Sequence, residues 1–253
     1  MSAIPSSSSS DKAVLEVLQR SKVSTIADVI SVMQAIDQLL PQNDGLKWFN
    51  LLYLQVTQEV DSQSSESGWQ NPVWLTHLDV VFAEWYFKAL IGWLQANAEV
   101  PSSWRALLES RLVPNIDRIQ FALAGMNAHI NHDLAQALLQ TNSELNATPQ
   151  TGGPEHMDYE QVNGILEAVL PDALAFLATG ILGVAAQSTG NIGRLLAIWD
   201  VRKARDLAWD FAVYLDSLPE LGRIMALAAQ DQMTGVLGRS LVLPVDPAPA
   251  VVA

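Results

Sequence analysis

The sequence predicts an all-α fold, a single-domain helical bundle of about eight to nine helices. Three observations carry this. Apolar residues recur with helical period along nearly the whole chain, no stretch alternates with period two, and the β-branched clusters are short. With 49% hydrophobic and 16% charged residues among 253, the chain is too apolar and too weakly charged for global disorder. The expected domain covers 12–240, between a Ser-rich leader at 1–11 and a Pro/Ala tail at 241–253.

Each element has its own signal. Residues 13–19 read as a short helix. Ser24 is the expected N-cap of a helix over 25–40, where Ile26, Val29, Ile30, Val32 and Met33 form an apolar stripe. Pro41 and the Asn43-Asp44-Gly45 turn stop it. A helix over 46–60 carries Trp48, Phe49, Leu52, Tyr53 and Val56, and the polar segment 61–68 follows as a loop. Pro72 fits the first turn of a long helix to about residue 98. Further helices are expected from Pro101 to about Leu112 and from Pro114 to about Leu139. Residues 141–157 form a long irregular connection, which leaves a lid and a solvated connector both open. Helices near 158–169, 171–186, 190–216 and 219–239 complete the chain. The longest apolar run, 173–186, is shorter than the roughly 18–20 residues that span a bilayer and reads as a helix buried all round.

Charge and composition exclude several functions. Fourteen Lys and Arg against 27 Asp and Glu give a formal charge of −13. No basic footprint exists for nucleic acid, and docking on anionic lipid is disfavoured. The absence of Cys removes disulfides, thiolate metal sites and a Cys nucleophile together. The first residues lack the basic and apolar regions of a secretory signal, so a cytoplasmic location is the default expectation. No P-loop, HExxH, GxSxG or GxGxxG pattern occurs, and no nucleotide or haem motif is present.

Function must then be sought among polar residues on apolar helix faces, because burying such groups unpaired costs roughly 1–3 kcal/mol each. On the helix from Pro72, Asp79 falls within the stripe Leu75, Phe82, Tyr86, Leu90 and Trp93, whereas His77 falls on the opposite, solvated side. On the helix over 120–139 the apolar face is Leu123, Ile130, Leu134 and Leu138. Asn127 and Asn131 lie one above the other within or beside that stripe. His129 and Asp133 project together at its margin, and His132 falls outside. A His–carboxylate pair one turn apart can orient an imidazole as a general base, furnish metal ligands, or lock helix packing. On the helix over 191–211, Arg202 and Arg205 share a face with Leu195, Ile198, Val201, Ala208 and Trp209. A buried guanidinium needs carboxylates or an anionic ligand, so Asp79 or Asp133 is expected within ion-pair reach of Arg202 or Arg205, with Asp158 a further partner. Eight Trp exceed what a core of this size needs; they either pack or line an apolar ligand cavity.

Five segments, WFNLLYLQVTQEV (48–60), THLDVVFAEWYFKAL (76–90), GMNAHINHDLAQAL (125–138), MDYEQVNGIL (157–166) and WDVRKARDLAWDFA (199–212), resemble a bacterial and fungal family of helical proteins known as a domain of unknown function. The resemblance runs over most of 46–216, and the GMNAHIN-type box is its most specific part. The matching boxes hold Asp79, Asn127, His129, Asn131, Asp133, Asp158, Asn163, Arg202 and Arg205. His77, His132 and His156 lie outside the pattern. The resemblance implies where a site lies and no particular chemistry.

Two functions from different classes remain. The first is an acid/base enzyme acting by hydrolysis, elimination, isomerisation or cyclisation on a small, largely apolar molecule with an anionic or polar handle, of the kind met in specialised metabolism. His129, Asp133 and Asp79 would be catalytic. Arg202, Arg205, Asn127, Asn131, Tyr86, Asp158 and Asn163 would bind substrate. The cofactor stays open: a divalent metal on His129 with Asp133, Asp79 or Asp158 is compatible with the ligand types. The second is a non-catalytic ligand-binding or scaffold protein whose buried polar network sets helix register. Oligomeric state is not encoded in any visible pattern.

Overall fold

Capping chemistry determines where this chain becomes helical. The computed structural model describes residues 8–64, 68–96, 99–177 and 200–244. Helix α1 (Ser9–Arg20) opens on a capping box: the Ser8 hydroxyl accepts from the Asp11 N–H, and the Asp11 carboxylate accepts from the Ser8 N–H. It thus begins inside the Ser-rich stretch that composition reads as leader. Asp11 also pairs with Arg111, which is 5% exposed and bonded to Asp44 as well. Helix α2 (Ile26–Leu39) is capped by Thr25 and not by Ser24, because the Thr25 hydroxyl and Asp28 close the reciprocal box. Ser24 donates to the same Asp28 carboxylate. Its buried stripe is Val29, Val32, Met33 and Ile36.

Helix α3 (Gly45–Ser64) continues into the polar segment expected to be loop. Helix α4 (Pro72–Leu94) starts as expected on Pro72, with Asn71 accepting from the Trp74 N–H, and ends before residue 98. Helix α5 (Ser102–Ser110) takes its side-chain cap from far along the chain, from Asp231. Helix α6 (Arg118–Ala128) begins at an Asp117/Gln120 capping box and not at Pro114. One π-helical turn (His129–Asp133) joins it to α7 (Leu134–Glu144) without interruption. The irregular connection shrinks to 145–153, because α7 runs past residue 141 and α8 (Pro154–Leu177) starts before 158.

Pro171 does not end α8. Glu167, whose carbonyl a Pro four residues on deprives of its donor, is exposed, as is Pro171 itself, so water can take up that carbonyl. The apolar run at 173–186 is not buried all round where it is described: Phe176 is 56% exposed. Its remainder, and the start of the helix expected over 190–216, lie outside the described residues. Helices α9 (Val201–Ser217) and α10 (Glu220–Leu241) complete the chain. No strand occurs among the described residues, and none of their helices is long and apolar enough to cross a membrane.

The α6–π–α7 rod forms the centre. All of α6 except Arg118 is buried, with α3 and α10 packed against it, while α4 and α9 pack on α7. Small residues permit the closest approaches. A Cβ on Gly125 would stand 2.2 Å from the Phe49 ring of α3, and one on Gly235 would stand 2.4 Å from the Ser102 hydroxyl. Only a glycine fits at either crossing.

Candidate functional site

Geometry at the centre of the rod departs from a regular helix. A π turn holds more than four residues per turn, so side chains past it are rotated from their α-helical phase. His129 and Asp133 still meet, with Nδ1 2.9 Å from Oδ2. His132 does not face out as the regular projection expects. It is 6% exposed, its Nε2 lies 3.2 Å from the Gln136 amide nitrogen and 3.9 Å from Asp231, and its Nδ1 is buried without a partner. His77 lies near the surface as expected, its Nε2 2.6 Å from Glu144.

The imidazole of His129 is immobilised on three sides. Its ring stacks on Phe82 of α4, with centroids 3.6 Å apart and planes 3° from parallel. Tyr53 of α3 meets it edge-on at 4.6 Å. Asp133 Oδ2 holds Nδ1, and the same oxygen accepts the Trp104 indole N–H at 2.9 Å, tying the pair to α5. Nε2 is buried and has no partner. Burial pushes His129 well below the ordinary imidazole value and Asp133 well above the ordinary carboxyl value, the latter against the pull of Trp104. The imidazole is therefore neutral.

His129 lines a cavity of about 80 Å³ bounded by α3, α4, α6, the π turn, α8 and α9. Its walls are largely apolar, with Leu52, Val56, Met126, Ile130 and Leu166 among them, and Tyr53 and Thr57 add hydroxyls. Asp79 opens onto the same space, half-buried, with no hydrogen bond among the described residues. Burial raises its carboxyl to about 7, opposed by the charge of Arg205 and aided by Asp61. Arg205, 6% exposed, is the third ionisable group. Its Nε donates to Asn163 Oδ1 at 2.6 Å, one Nη donates to the Tyr159 carbonyl at 3.0 Å, and the guanidinium lies 4.1 Å over the Tyr159 ring. All three partners are neutral.

Asp79, His129 and Arg205 thus converge on one cavity, with Asp133 and Asn163 directly behind two of them. The expected ion pair is a correction: no carboxylate of Asp79 or Asp133 stands within 4.0 Å of either arginine. Arg202 leaves the site altogether. Half-exposed, it bridges Glu167 at 2.7 Å and Glu160 at 3.4 Å, three residues along α9 turning its side chain about 60° from that of Arg205. Asp158 is buried elsewhere, its two oxygens accepting the Gln70 and Asn71 N–H groups ahead of α4 at 2.8 and 2.6 Å. Asn127 and Asn131 do stack, at 3.0 Å, but Asn127 donates to the Thr234 carbonyl of α10 and lies away from the cavity lining. Tyr86 also stands behind the wall, donating to Asn50 at 3.2 Å.

Sequence reasoning missed Trp104, Phe82 and Tyr53 as the frame of the imidazole. Phe82 and Tyr53 carried a signal, since each lies on the stripe of its helix; the Trp104–Asp133 contact joins two helices and carried none. No Trp among the described residues lines this cavity. As for a metal, no group of three or more His, Cys, Asp or Glu among the described residues stands ready to hold one, and Asp133 occupies His129 Nδ1.

No curated protein and no solved structure matches the chain. The model of a family of unknown function, DUF5995, matches residues 26–244, most of its length, and the chain belongs to that family.

Proposed function

We propose that this protein is an acid/base enzyme acting on a small, largely apolar molecule, with His129 Nε2 as the proton-transferring atom. The observation that carries the reading is a histidine that lines an apolar cavity with its Nε2 buried and unpartnered while its Nδ1 is locked to Asp133. A buried polar atom left unsatisfied costs stability, and a binding site is the common reason to retain one.

The chemistry follows from the two opposed shifts. Imidazolium is disfavoured by burial, and so is the Asp133 carboxylate. Starting from the form with Asp133 ionised and Nδ1 protonated, Nε2 takes a proton from a ligand as the Nδ1 proton passes to Asp133 Oδ2, leaving the neutral imidazole and neutral carboxyl that burial favours. The reverse shift makes Nε2–H the acid. The pair thus trades one proton with the ligand without an ion pair forming in an apolar setting. Asp79, poised near neutral pH, supplies a second group that can hold or release a proton. Trp104 and Phe82 hold the ring in place so that no reorientation precedes transfer.

Proton exchange can be measured across whole classes of candidate substrate. Small carbonyl compounds and carboxylic acids are incubated with protein in deuterated water, and carbon-bound deuterium is read by NMR and mass spectrometry. Exchange that disappears in His129→Gln is expected. A ligand that binds in the cavity yet shows neither exchange nor conversion defeats the reading. The second reading, a non-catalytic helical binding protein, is favoured by Asn127, Asn131, Asp158 and Arg202, whose bonds are all internal.

A further inference from the structure

Arg205 presents an electrostatic problem that the described residues do not solve. Its charge is buried, its hydrogen-bond partners are the Asn163 amide oxygen and a backbone carbonyl, and no carboxylate among the described residues lies within ion-pair distance. Arginine retains its proton even in such settings, so the charge cannot be discarded. Leaving it without a counter-charge is costly, and Arg205 lines a cavity whose other walls are largely apolar.

We propose that the ligand of this cavity is a short-chain monocarboxylate, with its carboxylate on Arg205 and its hydrocarbon chain among Val56, Ile130 and Leu166. The inference rests on the acid/base reading of the same cavity and gives its substrate a chemical class. A planar guanidinium with two N–H groups already tied to fixed acceptors keeps its remaining donors oriented for a carboxylate. Asn163 is then a positioning residue: it also donates to Glu160 at 3.1 Å, which fixes the amide and through it Arg205. The volume of about 80 Å³ favours a short chain, since an apolar cavity of roughly 150 Å³ holds one benzene.

Asp79 makes binding proton-linked. Among the described residues, the charged and titratable groups facing it are Arg205 from α9, Asp61 and Tyr53 from α3, and His129 from the π turn. Arg205 favours its ionised form, while Asp61 and burial oppose it. An entering carboxylate takes up the attraction of Arg205 and adds a second negative charge. Asp79 must then be protonated, and it becomes a donor where a carboxylate would repel.

Propanoate, butanoate and hexanoate are titrated into the full chain by calorimetry between pH 6 and 9, beside their primary amides. Carboxylates are expected to bind and amides to bind at least tenfold more weakly. Above about pH 7 the carboxylate affinity should fall by roughly tenfold per pH unit, one proton being taken up per ligand. Asp79→Asn should keep the affinity and lose the slope. Arg205→Gln should bring acid and amide to equal affinity, and circular dichroism verifies that this variant is folded. If it is not, the acid–amide comparison on the unaltered protein decides. Equal affinity for acids and amides, no binding of either, or carboxylate binding independent of pH overturns the proposal. Carboxylate binding without deuterium exchange supports it while defeating catalysis by His129; exchange confined to uncharged compounds does the reverse.

Discussion

The central rod has two sides, and they differ in how many buried polar groups are paired. Towards α5 and α10 most are paired across helices, His132 Nδ1 beside Asp231 and Gln230 Oε1 of α10 being left without partners. Asp231 accepts from the Ser102 and Ser103 N–H groups and the Ser103 hydroxyl, capping α5. Asn127 donates to the Thr234 carbonyl, and Gln120 donates to the carbonyls of Leu241 and Leu243. Towards α3, α4, α8 and α9, His129 Nε2 and the Asp79 carboxyl lack hydrogen-bond partners among the described residues, and Arg205 lacks a counter-charge there. Equal burial therefore serves two ends. Polar groups on the first side join particular helices, and those on the second line a largely apolar cavity.

The largest effect is expected on the paired side. Asp231→Ala removes three hydrogen bonds and with them the side-chain cap of α5, and should cost about 3 kcal/mol in a denaturant titration. A loss below about 1 kcal/mol would erase the contrast between the two sides.

Next comes Asp79. Its carboxyl is raised in the folded state, so the fold holds the proton up to about pH 7 while the unfolded chain releases it near pH 4. The stability this contributes is complete below about pH 4 and is lost as pH rises to about 7. Asp79→Asn should accordingly be more stable than the unaltered protein at pH 8, by about 1–3 kcal/mol since the group is partly open to the cavity, and the difference should vanish near pH 4. Thermal or urea melts across that range give the difference curve, and a flat one refutes a raised carboxyl.

A smaller effect is expected for Asp133→Asn. The carboxamide oxygen can still accept from Trp104 and from Nδ1, so the loss should stay under about 1 kcal/mol. Nitrogen NMR should find His129 still neutral at pH values where an ordinary exposed imidazole is already charged, because burial lowers it. A charged ring there would mean that the pair is an ion pair and belongs with the architecture. Last, Arg202→Ala should leave stability unchanged within the error of a melt, because its bridges to Glu160 and Glu167 are solvated.

Much of this was legible in the sequence, for identifiable reasons. The helices were readable because period and capping are local: Pro72 opens α4, and Val29, Val32 and Met33 face inward in α2. The convergence of Asp79, His129 and Arg205 was readable because each breaks an apolar face. What failed was non-local or cumulative. Arg202 breaks an apolar pattern too, and Asp158 was expected as a partner for the arginines, but their actual partners, the surface acids of α8 and the N–H groups of residues 70 and 71, cannot be seen from their own helices. His132 was misplaced because a projection at a fixed angle accumulates error across the π turn, and the turn has no sequence signal of its own.

That turn also sets a rule of length. The segment from Arg118 to Glu144 accommodates more backbone in the same axial distance than an uninterrupted α-helix. Insertions and deletions are usually tolerated in loops and disruptive in helices. Here the tightest part of the core is one place where losing a single residue has a defined, non-catastrophic outcome: the wide turn closes to an ordinary one, and His129 and Asp133 no longer share a register with Trp104 and Phe82. A relative of this protein one residue shorter between Ala128 and Leu134 would keep the bundle and forfeit the pair, so the spacing of that box, more than the identity of its histidine, is the mark by which chains that build the framed His–Asp pair can be told from those that do not.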